Sequence, residues 1–97
     1  MNYIMYVGLN DQDTKKQELD TETALNCIGD TVGDCTISMA QGRYTHQDGV
    51  TVNEKTVRVE VFDKEEEEIR NYCNVLKKML NQESIAVQEV REQAYFF

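Results

Sequence analysis

The spacing of apolar residues changes from segment to segment along the 97-residue chain, and that succession constrains the fold more than any single motif. Asn2-Tyr3-Ile4-Met5-Tyr6-Val7-Gly8-Leu9 is short and nearly continuously apolar, as a strand buried on both faces reads. Asn10-Asp11-Gln12-Asp13-Thr14 ends it with turn-forming residues. Ala24, Leu25, Cys27, Ile28 and Val32 then recur at helical spacing, behind Asp20 or Thr21 as N-cap and ahead of Gly33 as C-cap. From Cys35 to Thr45 the pattern alternates, with Ile37 and Met39 on one face and Thr36, Ser38 and Ala40 on the other. Gly42 inside this strand marks a bulge or a close approach by another group. Asp48-Gly49 signals a hairpin, and Val50 to Lys55 extends its arm beyond the main sheet. The return strand spans Thr56 to Phe62, with Val57, Val59 and Val61 facing in and Arg58 and Glu60 facing out.

The second helix has the clearest stripe: Ile69, Tyr72, Cys73, Leu76, Met79 and Leu80 share one face. Asp63 is expected to cap it, with Glu66 completing a capping box. Asn81-Gln82-Glu83 ends it, and Ser84 to Val90 is the last strand. The order β-α-β-β-α-β, with right-handed crossovers, predicts an α+β ferredoxin-like fold: a four-stranded antiparallel sheet with two helices on one face. The first strand is expected at the centre of the sheet, and residues 1–97 are expected to form a single domain.

Composition narrows the partners. Ten Lys and Arg stand against eighteen Asp and Glu, a net charge of −8. The cations are dispersed, which argues against nucleic-acid binding and against docking on anionic lipid. There is neither a membrane-spanning run nor a basic, apolar leader at the N-terminus. Cys27, Cys35 and Cys73 are odd in number and form no C-x-x-C pair, which fits reduced thiols in a cytoplasmic protein. With one histidine, His46, a zinc site is not expected, and no residues group as a metal, cofactor or catalytic constellation. His46 is expected to be exposed at the hairpin tip.

Three groups of residues stand out. Glu60, Asp63, Glu65, Glu67 and Glu68, joined by Asp11 and Asp13, form a candidate acidic surface if the loop after the first strand lies nearby. Such carboxylates would complement a cationic, nucleic-acid-binding protein. Asn10, Gln17, Arg43, Tyr44 and His46, with Asp11, form a candidate small-ligand cluster at one end of the sheet. The open sheet face is expected to carry apolar residues from the first strand that need a cover. Tyr95, Phe96 and Phe97 would then anchor a homodimer or another partner.

Tyr6 to Asp11 with Lys15 to Glu18, Thr36 to Tyr44, Asp48-Gly49, Glu54 before Val57-Arg58-Val59, and Asn81 to Ile85 together resemble short proteins of gut-type bacteria and their phages. The resemblance implies the same ferredoxin-like fold and supplies no catalytic residues. By size and charge the chain also resembles phage inhibitors of host defence, of the anti-CRISPR type. The expected function is therefore a non-catalytic, acidic protein–protein interaction module, an inhibitor that blocks a nucleic-acid-binding host protein. The alternative is a dimeric regulatory domain that binds a small ligand.

Overall fold

The computed structural model describes all of residues 1–97. Its elements are β1 (Asn2–Gly8), α1 (Thr21–Val32), β2 (Thr36–Thr45), β3 (Thr51–Val61), α2 (Glu66–Met79) and β4 (Ala86–Val90). The strands form one antiparallel sheet in the order β2-β3-β1-β4. The expected ferredoxin-like α+β fold is thus present, with the first strand inside the sheet. No helix is long and apolar enough to cross a membrane.

Alternation along the strands assigns the two faces of the sheet. Tyr3, Met5, Val7 and Leu9 join Val57, Val59 and Val61 on the helix side, where Ala24, Ile28, Val32, Ile69, Leu76 and Leu80 close the core. Met5 sits between Val59 and Val87 in register, so its side chain is enclosed by both neighbouring strands and the helices. Removing one methylene group from fully buried Ile28 (Ile28→Val) is expected to cost about 0.5–1.5 kcal/mol. A urea titration would measure it as a lower midpoint at unchanged slope.

The opposite face differs from expectation. Ile4 is there but buried, hemmed by Glu60 and Gln88 in register, and Tyr6 donates its hydroxyl to Gln88 Oε1 at 3.0 Å. Thr36, Ser38, Thr56, Arg58 and Glu60 supply much of the rest, with Arg58 paired to Glu60. Polar side chains at alternate positions of β2 and β3 leave no broad apolar surface in need of a cover.

The helix ends set the course of the adjoining loops. Asp20 caps α1 by accepting the Thr23 N–H at 2.7 Å. At α2 the cap is Glu65, two residues later than expected, and its N–H donates to Glu68 Oε2. Asp63 instead takes a left-handed conformation, φ 53°, in the turn leaving β3. The other end of α2 closes with Asn81 at φ 46° and the Gln82 N–H donating to the Lys77 carbonyl. This closure follows the Schellman pattern, and it turns Gln82, Glu83 and Ser84 toward the open end of the sheet.

Candidate active site

β2 and β3 run past the end of β1, and the α2–β4 loop folds up beside them. Between them lies a cleft of about 230 Å³ on the open sheet face. Its walls are Tyr6 and Gly8 of β1, Gly42 to Tyr44 of β2, Glu54 and Thr56 of β3, and Gln82, Glu83, Ser84 and Ala86.

Glu54 forms the floor and is 8% exposed. One carboxylate oxygen, Oε2, accepts the Asn10 backbone N–H at 2.9 Å. Oε1 lies over Gly8 and accepts from no protein donor. No Lys or Arg pairs with this carboxylate. Glycine makes the arrangement possible: a Cβ on Gly8 would fall 2.3 Å from Glu54 Oε1. Across the sheet Gly42 pairs with Glu54, and a Cβ there would fall 2.3 Å from Thr56 Oγ1. The register runs through Gly42 without a bulge, so of the two readings of this glycine, close approach is the one realised.

The rim is a hydrogen-bonded set. Buried Gln82 donates Nε2 to the Asn10 carbonyl at 2.6 Å, tying the α2–β4 loop to the end of β1. Asn81 Nδ2 donates to both Asp11 and Asp13, at 2.9 Å each. Tyr44 donates its hydroxyl to Glu83 Oε2 at 2.6 Å, and Gln47 N–H donates to Glu83 Oε1 at 3.3 Å. These bonds to the ionised form hold the Glu83 carboxyl below the usual carboxylate range, the Tyr44 bond first. The same bond, with the negative field of Glu83 and Glu54, pushes the Tyr44 hydroxyl up. At neutral pH Glu83 is therefore an anion and Tyr44 a donor.

The candidate ligand residues scatter in part. Tyr44 and Asn10 belong to the cleft, Asn10 through its backbone. Arg43 borders it, but strand alternation turns its side chain to the other face. Gln17 points to the start of α1, donating to the Leu19 carbonyl and Thr21 Oγ1. His46 is buried, contrary to the expectation of an exposed tip: it packs edge-on against the Tyr44 ring and faces Glu83. Nothing along the chain marks Glu54, Glu83, Tyr6 and Gly8 together as site residues. The available signal was that Glu54 continues the outward set of Arg58 and Glu60, but only the tertiary structure pairs it with Gly42 and lays its carboxylate over Gly8.

The acidic residues do not make one surface. Asp63 to Glu68 stand by the first residues of β1, where Asp63 N–H meets Asn2 Oδ1. Asp11 and Asp13 stand beyond its last residue, bound to Asn81. The separation is roughly 20 Å or more, the length of seven residues at ~3.3 Å each. Glu60 is taken up by Arg58. Tyr95, Phe96 and Phe97 remain exposed, with Phe96 edge-on to Phe62.

Comparison with known proteins sets the fold beside those of two solved structures. The chain is similar to the structure of a phage SAM lyase in complex with S-methyl-5′-thioadenosine, with a TM-score of 0.69 at 23% identity over 89% of this chain and 76% of that one. It is also similar to a phage SAM lyase in the apo state, with a TM-score of 0.60 at 22% identity over 89% and 75% of the two chains. No family model matches the chain, and no curated protein does. At this identity the likeness shows the fold. It is a likeness to phage proteins, as the sequence resemblance implied, and to an enzyme, not to an anti-CRISPR inhibitor. Together with the divided acidic residues, it overturns the expectation of a non-catalytic interaction module and of a chain without enzymatic activity.

Proposed function

We propose that this chain cleaves SAM in the cleft over Glu54, releasing S-methyl-5′-thioadenosine. The observation that carries the reading is the Glu54 carboxylate: buried, bound by one backbone amide, with a free oxygen and no protein cation beside it. A carboxylate desolvated in this way is costly unless a positive group meets it. The cleft therefore suits a cationic ligand, and SAM carries a sulfonium and an ammonium. Tyr6 and Tyr44 in the walls offer aromatic faces of the kind on which a purine stacks.

The chemistry follows from the product. S-methyl-5′-thioadenosine keeps the methyl and adenosyl groups on sulfur, so the bond that breaks joins sulfur to Cγ of the aminobutyrate chain. Its electron pair goes to sulfur and discharges the sulfonium. The substrate's own carboxylate oxygen forms the replacing bond to Cγ and closes a five-membered lactone. Cation and anion disappear together, no water enters and no proton moves. The protein's task is to hold the chain with its carboxylate in line behind Cγ, a positioning problem. The ammonium alone keeps its charge throughout, so it is the group that Glu54 anchors. A carboxylate aimed at the sulfonium would favour the ground state over the transition state.

On this reading the protein works in the cytoplasm, where SAM is made and used. The test is incubation of the purified chain with SAM in heavy-oxygen water, followed by chromatography and mass spectrometry. S-methyl-5′-thioadenosine and an unlabelled lactone in equal amounts are expected. Labelled homoserine formed directly would mean hydrolysis instead, and intact SAM would end the proposal.

A further inference from the structure

His46 is the chain's one histidine, and its setting is unusual for a hairpin tip. It is 6% exposed, and neither ring nitrogen has a hydrogen-bond partner. Leaving buried polar atoms unpaired is costly, so the position needs a reason. The nearest opposite charge is Glu83, with Oε1 3.8 Å from His46 Nδ1, just beyond hydrogen-bond range. The ring meets Tyr44 edge-on, with centroids 4.9 Å apart. Glu83 already holds Tyr44 and the Gln47 N–H, so one carboxylate joins the hairpin tip to the cleft wall.

We propose that His46 is a positioning residue, whose protonation draws Glu83 into a charged hydrogen bond and clamps the hairpin tip to the α2–β4 loop, fixing Tyr44 at the mouth of the cleft. Neutral imidazole leaves the contact at the loose distance seen here; imidazolium has a donor on each nitrogen and a charge to share.

The other charged groups around the ring are consistent with this assignment. Glu83 comes from the α2–β4 loop, and its depressed titration leaves it ionised across the range in which imidazoles titrate. Tyr44 of β2 stays a donor, since its hydroxyl is pushed up. Lys15, from the β1–α1 loop, opposes protonation but is paired with Asp48 of the tip at 3.2 Å, which offsets its charge. Glu54 of β3 adds negative field behind Tyr44.

The clamp exists without any ligand, so its test does not depend on SAM chemistry. Solvent exchange of the Gln47 and Gly49 amides, corrected for intrinsic pH dependence, is measured by NMR in the wild-type chain and in His46→Gln. Protection about tenfold higher at the acid end is expected in the wild type, the order of one charge-assisted bond, and none in the variant. Glu83→Gln is expected to flatten the profile as well. Protection that is independent of pH in the wild type, or that keeps its pH dependence in His46→Gln, overturns the proposal. S-methyl-5′-thioadenosine then serves as a probe of the wall: its affinity should rise toward acid pH in the wild type and stay level in His46→Gln. Equal slopes in the two would show that the clamp does not reach the cleft. If the probe fails to bind at any pH while the amide profile appears, the proposed reaction fails and the clamp stands.

Discussion

Replacing Glu54 by Gln is expected to lower kcat/KM for SAM cleavage by about 10²-fold or more, the effect of losing positioning at the reacting carbon. Glutamine keeps the shape and still accepts the Asn10 N–H, so the fold around it holds. What goes is the charge that anchors the ammonium. S-methyl-5′-thioadenosine has no ammonium, so its affinity should change by no more than about threefold, the change expected where no charged contact is lost. Calorimetry with this ligand beside the rate assay separates the two effects. A Glu54→Gln variant that turns over at the wild-type rate would remove Glu54 from the mechanism. One that loses product affinity as well would show that Glu54 reads the nucleoside.

Gly8→Ala should cause a comparable loss from the opposite side of the contact. The new Cβ would fall 2.3 Å from Oε1 and 2.6 Å from Cδ of Glu54, closer than a Cβ can sit to a non-bonded heavy atom. The obstacle is the end of a flexible side chain, so the carboxylate turns away and the backbone stays. That movement breaks the bond to Asn10 N–H, worth about 1.5–3 kcal/mol when charged, although water can reach half-exposed Asn10 and recover part of it. Alanine is also better than glycine inside a strand, which offsets more. The melting temperature should therefore move by no more than about 8 °C, roughly what 1 kcal/mol does in a domain this small. Turnover should fall by about 10²-fold, as expected for a displaced anchoring group. Full activity in Gly8→Ala would mean that the placement of this carboxylate does not matter, and Glu54 would lose its role as the anchor.

Both substitutions act on one contact between two strands, the Glu54 carboxylate over Gly8, and that contact could not be read along the chain. Gly8 ends an apolar run and Glu54 opens an alternating one, 46 positions later. The antiparallel register pairs Gly8 with Thr56 and Gly42 with Glu54, and it lays the Glu54 carboxylate over Gly8. His46 shows the same limit. A histidine beside Asp48-Gly49 reads as exposed, and it is buried because the α2–β4 loop brings Glu83 against the tip. The Asp63 cap failed for a local reason: the turn out of β3 uses Asp63 in a left-handed conformation, which shifts the start of α2 by two residues.

The sequence by itself determined the order of elements, the antiparallel sheet with β1 inside it, the Gly33 cap, an α1 N-cap at Asp20 or Thr21, and the inward valines of β3. These depend on periodicity and on residues a few positions apart, and burial of apolar side chains enforces them. Tertiary structure alone decided that the acidic residues part to opposite ends of β1, that the open face is polar, and that a lone carboxylate lies in a glycine-walled cleft. Charge and polarity along a chain state which groups exist. Which of them meet, and which are stripped of water, depends on register and loop packing between segments far apart in sequence.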